Sequence, residues 1–189
     1  MTAADDNRAF YDQSTAGTQD YWRYMAAPRH RRAVLLDRLV SDQPGRVVDL
    51  GCGNGAFLDV IGARLPDAAL AGIDLSTELI AQNQRRLPAI AWHALDLDQD
   101  FQPPAALAGQ CDAIVAMEVI EHLDRPDDFL AGCRRLASPD GRLYLSTQSG
   151  PVRETERRVG HRRHFTAIEM QSALARAGWR DADVWNTGF

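Results

Sequence analysis

A chain of 189 residues, 45% of them hydrophobic, suits a single domain with a full apolar core and leaves no length for a second catalytic domain. The formal net charge of -5 excludes a global basic field that would recruit nucleic acid or an anionic membrane, so such binding would need a local patch. No run approaches the ~20 apolar residues of a spanning helix, and residues 1–20 are too polar for a secretory signal, so a cytoplasmic protein is expected.

From Asp5 to Val40 the chain is polar, then aromatic (Phe10, Tyr11, Tyr21, Trp22, Tyr24), then helical, with Val34, Leu35, Leu39 and Val40 on a helix spacing. Ser41 to Gly45 ends that helix and divides an N-terminal helical segment, 1–44, from the main domain, 45–189. In Arg46-Val47-Val48-Asp49-Leu50-Gly51-Cys52-Gly53-Asn54-Gly55-Ala56-Phe57, an apolar run suited to a buried strand collapses into three alternate glycines and becomes helix-like. Glycine permits positive φ and close approach of backbone to a ligand. Main-chain N–H groups at such a turn and helix start are expected to face outward unpaired, ready for a polar or anionic group. The spacing also satisfies G-x-G-x-x-G/A, a pattern that is weak alone. Asp49 sharpens it, because a carboxylate two residues before the first glycine repels a pyrophosphate and can hold an ammonium group. A glycine turn without a ligand is the competing account, and it leaves Asp49, the glycines and Asp74 as unrelated accidents.

Asp49-Leu50-Gly51-Cys52-Gly53-Asn54-Gly55 resembles the first motif of the class I S-adenosylmethionine (SAM) dependent methyltransferases, and Gly72-Ile73-Asp74 resembles their second. The resemblance implies an α/β fold with a doubly wound, mostly parallel, Rossmann-like sheet, SAM as cofactor, and contacts to it from Asp49, Gly51, Cys52 and Gly53. It also implies that segment 1–44 lies over the site as a lid, with Tyr11, Tyr21 and Trp22 toward the acceptor. Arg31 stands eighteen positions before Asp49, a spacing similar to the ubiquinone-biosynthesis O-methyltransferases, in which an arginine of that helix contacts the cofactor. A guanidinium there can pair with the methionine carboxylate. Surface charge is the other account, since Arg29 and Arg32 are close by.

Ala56 to Leu65 reads as the first crossover helix, with Phe57, Leu58, Ile61 and Leu65 on one face. Leu70 to Leu75 is a second strand whose terminal Asp74 suits a ribose diol, with Leu75 beside it. Ser76 and Thr77 cap a helix that runs to Leu87 and stops at Pro88. Ile90 to Leu95 is a third strand closed by Asp96-Leu97-Asp98. The resemblance puts Asp96 at the adenine amino group and the backbone near Leu97 at the ring, while Asp98 and Asp100 show that an ordinary acidic loop would look the same. Gln102 to Gln110 is linker or a short helix, and Cys111 to Glu118 is a fourth strand. Pro126 begins a helix through Phe129, Leu130, Cys133 and Leu136 that Pro139-Asp140-Gly141 terminates, and Arg142 to Thr147 is a fifth strand. Ser149 to Phe165 is an arginine-rich loop. Thr166 to Ala177 is a helix through Ile168, Met170, Leu174 and Ala177, stopped by Gly178. Trp179 to Trp185 makes a sixth strand, after which no sequence remains for the family's last one, so the sheet is expected to lack it. Cys52, Cys111 and Cys133 have no C-x-x-C spacing and read as free thiols.

Residues Met117 to His122, at the end of the fourth strand, are expected to face the transferred methyl group. Glu118-x-x-Glu121-His122 resembles two branches of the family, the ubiquinone-type O-methyltransferases and the small-RNA 3'-terminal 2'-O-methyltransferases. The resemblance implies magnesium or manganese held by Glu118, Glu121 and His122. In the reading adopted, His122 caps or packs there, Glu118 orders the pocket, and no metal is needed. In the RNA branch a further histidine lies in the loop after strand five, where this chain has His161 and His164. That branch carries Asp-His-Phe-Glu-Trp where this chain has His164-Phe165-Thr166. Gly160-His161-Arg162-Arg163-His164-Phe165 is instead similar to general small-molecule methyltransferases. All 21 cationic side chains are arginine, so lysine Schiff-base chemistry is excluded. The expected function is methyl transfer to a small hydroxylated or aminated molecule, O-methylation favoured, with His122 or His164 as base. Arg162 or Arg163 would hold an acidic group of the acceptor. The alternatives are an RNA 2'-O-methyltransferase and a non-catalytic SAM-fold binding module.

Overall fold

The computed structural model describes residues 25–98 and 101–186. In chain order the elements are α1 (Ala26–Asp42), β1 (Arg46–Leu50), α2 (Ala56–Arg64), β2 (Ala69–Asp74), α3 (Thr77–Arg86), β3 (Ala91–Ala94), β4 (Cys111–Met117), a 3-10 turn (Ile120–His122), α4 (Pro126–Leu136), β5 (Ala137–Ser146), α5 (Glu154–Arg158) and α6 (Ala167–Arg176). The five strands form a parallel sheet, as expected for alternating strands and helices. The chain divides into two units, Met1–Leu95 and Asp96–Phe189.

In the first unit β2 lies between β1 and β3, with Val48 opposite Ala71 and Ile73 opposite His93. Val47 to Leu50 are all buried, so β1 lacks the in-out alternation of a half-exposed strand. Helix α1 buries Leu35, Leu36 and Leu39, while Val34 and Val40 are only half-buried. It ends where Gln43 turns left-handed and donates its N–H to the Val40 carbonyl. Ser76 caps α3, its Oγ accepting the Leu79 N–H at 3.3 Å.

In the second unit β4 and β5 pair from Ala113 opposite Arg142 to Met117 opposite Ser146. β5 starts at Ala137, five residues before the expected Arg142, directly from the end of α4. Pro139-Asp140-Gly141, which reads as a helix stop, is an irregularity inside the strand. Cys111 pairs with Ala137 and Ala113 with Arg142, so the extra residues bulge between them, and Gly141 packs where a Cβ would sit 2.5 Å from the Cys111 carbonyl. Helix α6 opens with a Thr166–Glu169 capping box and buries Met170, Ala173 and Leu174. Ile168, expected on that face, is 78% exposed.

No strand forms over the described residues of 179–186. Asp181 takes φ 55°, which breaks the extended backbone a sixth strand requires. Trp179 instead anchors the segment, its Nε1 donating to the Leu130 carbonyl at 3.2 Å and its ring lying 5.5 Å from the Arg134 guanidinium. Among the described residues no helix is long and apolar enough to cross a membrane.

The core of this unit has its closest clearance, among the glycines described, at Gly132. A Cβ on Gly132 would lie 2.1 Å from Cδ1 of the fully buried Phe101. Gly132→Ala therefore pits helix preference, worth about 1 kcal/mol, against overpacking of about 1–3 kcal/mol. A net loss of up to roughly 2 kcal/mol is expected on those figures, read as a lower urea midpoint. An unchanged or higher midpoint would show that the Phe101 ring shifts without cost.

Candidate functional site

The glycine turn after β1 carries φ of 69° at Gly51, 52° at Gly53 and 70° at Gly55, which explains the alternate glycines. Its main-chain donors do not face outward as expected. Gly51 and Cys52 donate to the Ile73 carbonyl at 2.8 and 3.1 Å, and Gly55 donates to the Cys52 carbonyl at 2.9 Å. Gly53 donates to Asp74 Oδ2 at 2.8 Å, and Ala56 to Asn54 Oδ1 at 3.1 Å. The turn is thus folded in on β2, with the Asn83 side chain donating to the Gly53 carbonyl at 2.7 Å. It offers these donors to no anion, which removes the expected anion site and favours a cationic ligand group.

Negative charge fills the same place. Asp49 is 4% exposed. Burial raises its carboxyl from 3.8 to about 7, Arg32 lowers it, and the Asp74 charge raises it further. Asp74 accepts the Ser76 N–H on Oδ1 at 2.9 Å as well as the Gly53 N–H on Oδ2. Cys52 is buried, and its thiol is held far into the neutral form by burial and by the charges of Asp74 and Asp49, so it packs and does not react. Leu75 is half-buried beside Asp74.

The cation of α1 that acts on Asp49 is Arg32. Arg32 is buried, with its guanidinium 4.4 Å from the centre of the Phe57 ring, and Arg31 is half-buried. The signal was present in the sequence, since Arg32 shares the i, i+3, i+4, i+7 stripe with Leu35, Leu36 and Leu39. Tyr11, Tyr21 and Trp22 lie outside the described residues.

In the second unit the turn after β4 is set by Glu118, whose φ of 54° is a left-handed conformation for a residue with a Cβ. Ser146 holds it on both sides, its carbonyl accepting the Glu118 N–H at 2.9 Å and its Oγ donating to Glu118 Oε1 at 2.8 Å. Met117 is half-buried at the strand end. Glu121 is fully buried and accepts the Thr147 hydroxyl at 2.9 Å on Oε2.

The 149–165 segment is an ordered excursion. Phe165 donates to the Gln148 carbonyl at 3.1 Å, α5 forms inside it, and Arg162 and Arg163 donate their N–H groups to the Glu121 carbonyl at 2.8 and 3.4 Å. This brings three imidazoles together, with ring centres 4.7 Å apart for His122 and His161 and 5.2 Å for His161 and His164. Burial, and then the neighbouring His161, lower His122 from 6.5 to about 4, although the Gly160 carbonyl accepts from its ring. Burial, and then His164, lower His161 as well. Glu121, His122 and His161 present atoms within 4.8 Å of one another. They are the described residues that could hold a metal; Glu118, expected there, is not among them. Sequence reasoning reached His161 only through the RNA-branch resemblance, since nothing local ties it to Glu121 forty positions earlier.

Arg162 does not present a free clamp, because its NH1 lies 2.5 Å from Asp124 Oδ1. The exposed Arg163 donates from NH2 to the Asp124 carbonyl at 3.3 Å. Asp96 and Leu97 follow β3, half-buried and buried, with Asp96 Oδ1 accepting the Asp98 N–H at 2.9 Å.

Residues 21–184 match the family described as Methyltransferase domain. The chain belongs to that family. This methyltransferase domain is 32% identical over 162 residues to a trans-aconitate 2-methyltransferase of Methylobacterium nodulans, covering 82% of this chain and 60% of that protein. It is 30% identical over 120 residues to a ubiquinone biosynthesis O-methyltransferase of Dechloromonas aromatica, covering 59% of this chain and 48% of the other. The chain thus spans about half to three fifths of those relatives' length. A chain of the complex between the Haloferax volcanii Trm112 methyltransferase activator and a methyltransferase superposes with a TM-score of 0.74 at 19% identity, over 96% of this chain and 81% of that one. The class I SAM methyltransferase resemblance and the Rossmann-like fold expected from the motifs are borne out.

Asp49 gives this domain a pH signature. Its carboxyl is raised to about 7, so between pH ~4 and ~7 the folded chain binds more protons than the unfolded one. The stabilisation is complete below the unfolded pKa and is lost as pH rises through 7. At ~1.4 kcal/mol per unit the loss is about 4 kcal/mol. Asp49→Asn should flatten the ligand-free stability curve over that window and leave the variant more stable than the wild type at pH 8 in urea titrations. A variant curve parallel to the wild type would show that Asp49 ionises normally.

Proposed function

We propose that the protein transfers the methyl group of SAM to an oxygen of a small, acidic, hydroxyl-bearing molecule. The observation that carries this reading is the glycine turn, whose donors are used internally while Asp74 supplies negative charge and Asp49 a carboxyl that a neighbouring ammonium would ionise. That arrangement suits the ammonium and ribose of SAM and repels a pyrophosphate. In this reading Asp49 faces the ammonium, the Asp74 carboxylate takes the ribose diol, and Asp96 with the backbone at Leu97 takes the adenine. Arg31 and Arg32 serve the carboxylate, and Gly51, Cys52, Gly53, Leu75 and Met117 complete the cofactor contacts.

Family membership and the names of the relatives support a small-molecule acceptor. O-methylation rests on the imidazoles. His164 Nδ1 lies 3.2 Å from the Gly150 carbonyl, which can only accept, so this nitrogen carries the proton in the neutral ring. His164 Nε2 is then the acceptor for His161 Nδ1 at 2.9 Å, and this tautomer, assigned from the partners, leaves the lone pair of His161 on Nε2. The pair His161–His164 therefore replaces His122 as the general base, since a ring at about 4 takes up little proton at neutral pH. The hydroxyl gives its proton to His161 Nε2, its oxygen takes the methyl group, and the sulfonium leaves as a neutral thioether. Arg163 pairs with the acceptor's acidic group, as in the original expectation, whereas Arg162 is occupied by Asp124. Tyr11, Tyr21 and Trp22 remain the acceptor lid, and the reaction is cytoplasmic.

The 4.8 Å cluster of Glu121, His122 and His161 favours a second reading. One buried carboxylate and two neutral imidazoles fit a divalent ion of the manganese or zinc kind better than magnesium. Such an ion would polarise a bound hydroxyl.

Calorimetry should show S-adenosylhomocysteine and SAM binding and NAD not binding; tight NAD binding with no response to SAM would overturn the reading. Asp74→Asn, which keeps one acceptor oxygen, should weaken S-adenosylhomocysteine by about tenfold, roughly 1.4 kcal/mol. Incubation with SAM and a cell extract should yield methylated small molecules; methylated RNA, or binding without any transfer, would favour the RNA and non-catalytic alternatives. Activity should survive chelator, and complete loss restored by manganese would establish the second reading.

A further inference from the structure

Outside the residues expected in the site, two carboxylates tie the histidine-bearing segment to the loop after β3. Asp98 Oδ1 accepts the main-chain N–H groups of both Asp124 and Arg125, at 2.7 and 2.9 Å. Asp98 is itself turned by its own N–H, which donates to Asp96 Oδ1 at 2.9 Å. Asp124 then receives the Arg162 guanidinium on Oδ1 at 2.5 Å, and its carbonyl accepts from Arg163 NH2 at 3.3 Å. Arg162 and Arg163 close the series with their N–H groups on the Glu121 carbonyl. The connection thus runs from 96–98 to 124–125 to 162–163, and the last two residues lie between His161 and His164.

An isolated exposed ion pair contributes little, because two long side chains must be ordered to form it. Here the main chain on each side of the pair is already fixed, Asp124 by Asp98 and Arg162 by Glu121, so the remaining ordering cost is small. Hydrogen bonds to a carboxylate are also stronger than those to a neutral acceptor.

We infer that Asp98 and Asp124 are positioning residues, through which the loop after β3 sets the place of His161 and His164. This rests on the proposed reading in one respect: Asp96 lies on the cofactor's adenine, so an occupied cofactor site steadies the acceptor-side imidazoles through Asp98.

Amide hydrogen exchange on the full chain, with and without S-adenosylhomocysteine, tests both parts. Asp98→Ala should speed exchange of the Arg162 and Arg163 amides by about tenfold. Asp98→Asn, which keeps an Oδ1 acceptor, should restore wild-type rates. S-adenosylhomocysteine should slow these amides in the wild type and the Asn variant and not in the Ala variant. Should Asp98→Ala fail to fold, Asp124→Ala, which frees Arg162 and leaves the Asp98 contacts intact, should show the same acceleration. Wild-type exchange in either folded alanine variant overturns the inference, as does bound S-adenosylhomocysteine that protects no amide of 160–165. If calorimetry finds no cofactor binding, the functional reading fails, and the ligand-free exchange still decides whether the carboxylates position the segment.

Discussion

The hydrogen bond from Gly53 to Asp74 is the contact on which the cofactor side of this protein depends. A strand end with three alternate glycines has many conformations open to it, and most would leave a row of N–H donors facing outward. Asp74 selects one of them. Its two oxygens draw in the Gly53 and Ser76 N–H groups, Ile73 takes two more donors, and the turn lies against β2. Acidic side chains then define the surface offered to a ligand. The same closure puts Asp49 into a medium where its charge is costly, with Arg32 the main counterweight. In the proposed reading the discrimination between a sulfonium amino acid and a dinucleotide is electrostatic, and a matching glycine spacing alone does not reveal it.

In the second unit the organising group is the main chain of the turn after β4. Glu118 bends it with a left-handed φ, Ser146 holds that bend, and the Glu121 carbonyl accepts two N–H groups of the arginine-rich segment. Three imidazoles collect around this turn, and burial lowers His122 and His161. Neutral rings serve either as proton acceptors or as metal donors, which is why one cluster supports both chemical readings. The contacts of His164 with His161 and Gly150 orient the lone pair of His161 for either role.

Much of this was legible in the residues. The β1-turn-α2 unit, Asp49, Asp74 and the alternation of strands and helices follow from local apolar runs, glycine spacing and caps, all of which act over a few residues. What was not legible needs tertiary contact. Donor saturation in the turn depends on β2, which lies twenty residues further on. His161 matters only because 149–165 folds back on Glu121, and Arg162 is neutralised by an aspartate thirty-eight positions away. The burial of Arg32 was readable from the helical stripe it shares with Leu35, Leu36 and Leu39. Pro139-Asp140-Gly141 and the end of the chain mislead for another reason: turn residues mark a change of direction, and they do not say whether it ends an element or interrupts one.

Trp92 of β3 covers the glycine turn from the sheet side. It is 8% exposed, its Nε1 donates to the Leu87 carbonyl at 3.1 Å, and its ring fills the space a Cβ would need on both Gly55 and Gly72. The turn cannot open without moving that indole toward water. The protein thus carries a buried intrinsic fluorophore packed against its glycine turn, the indole of Trp92.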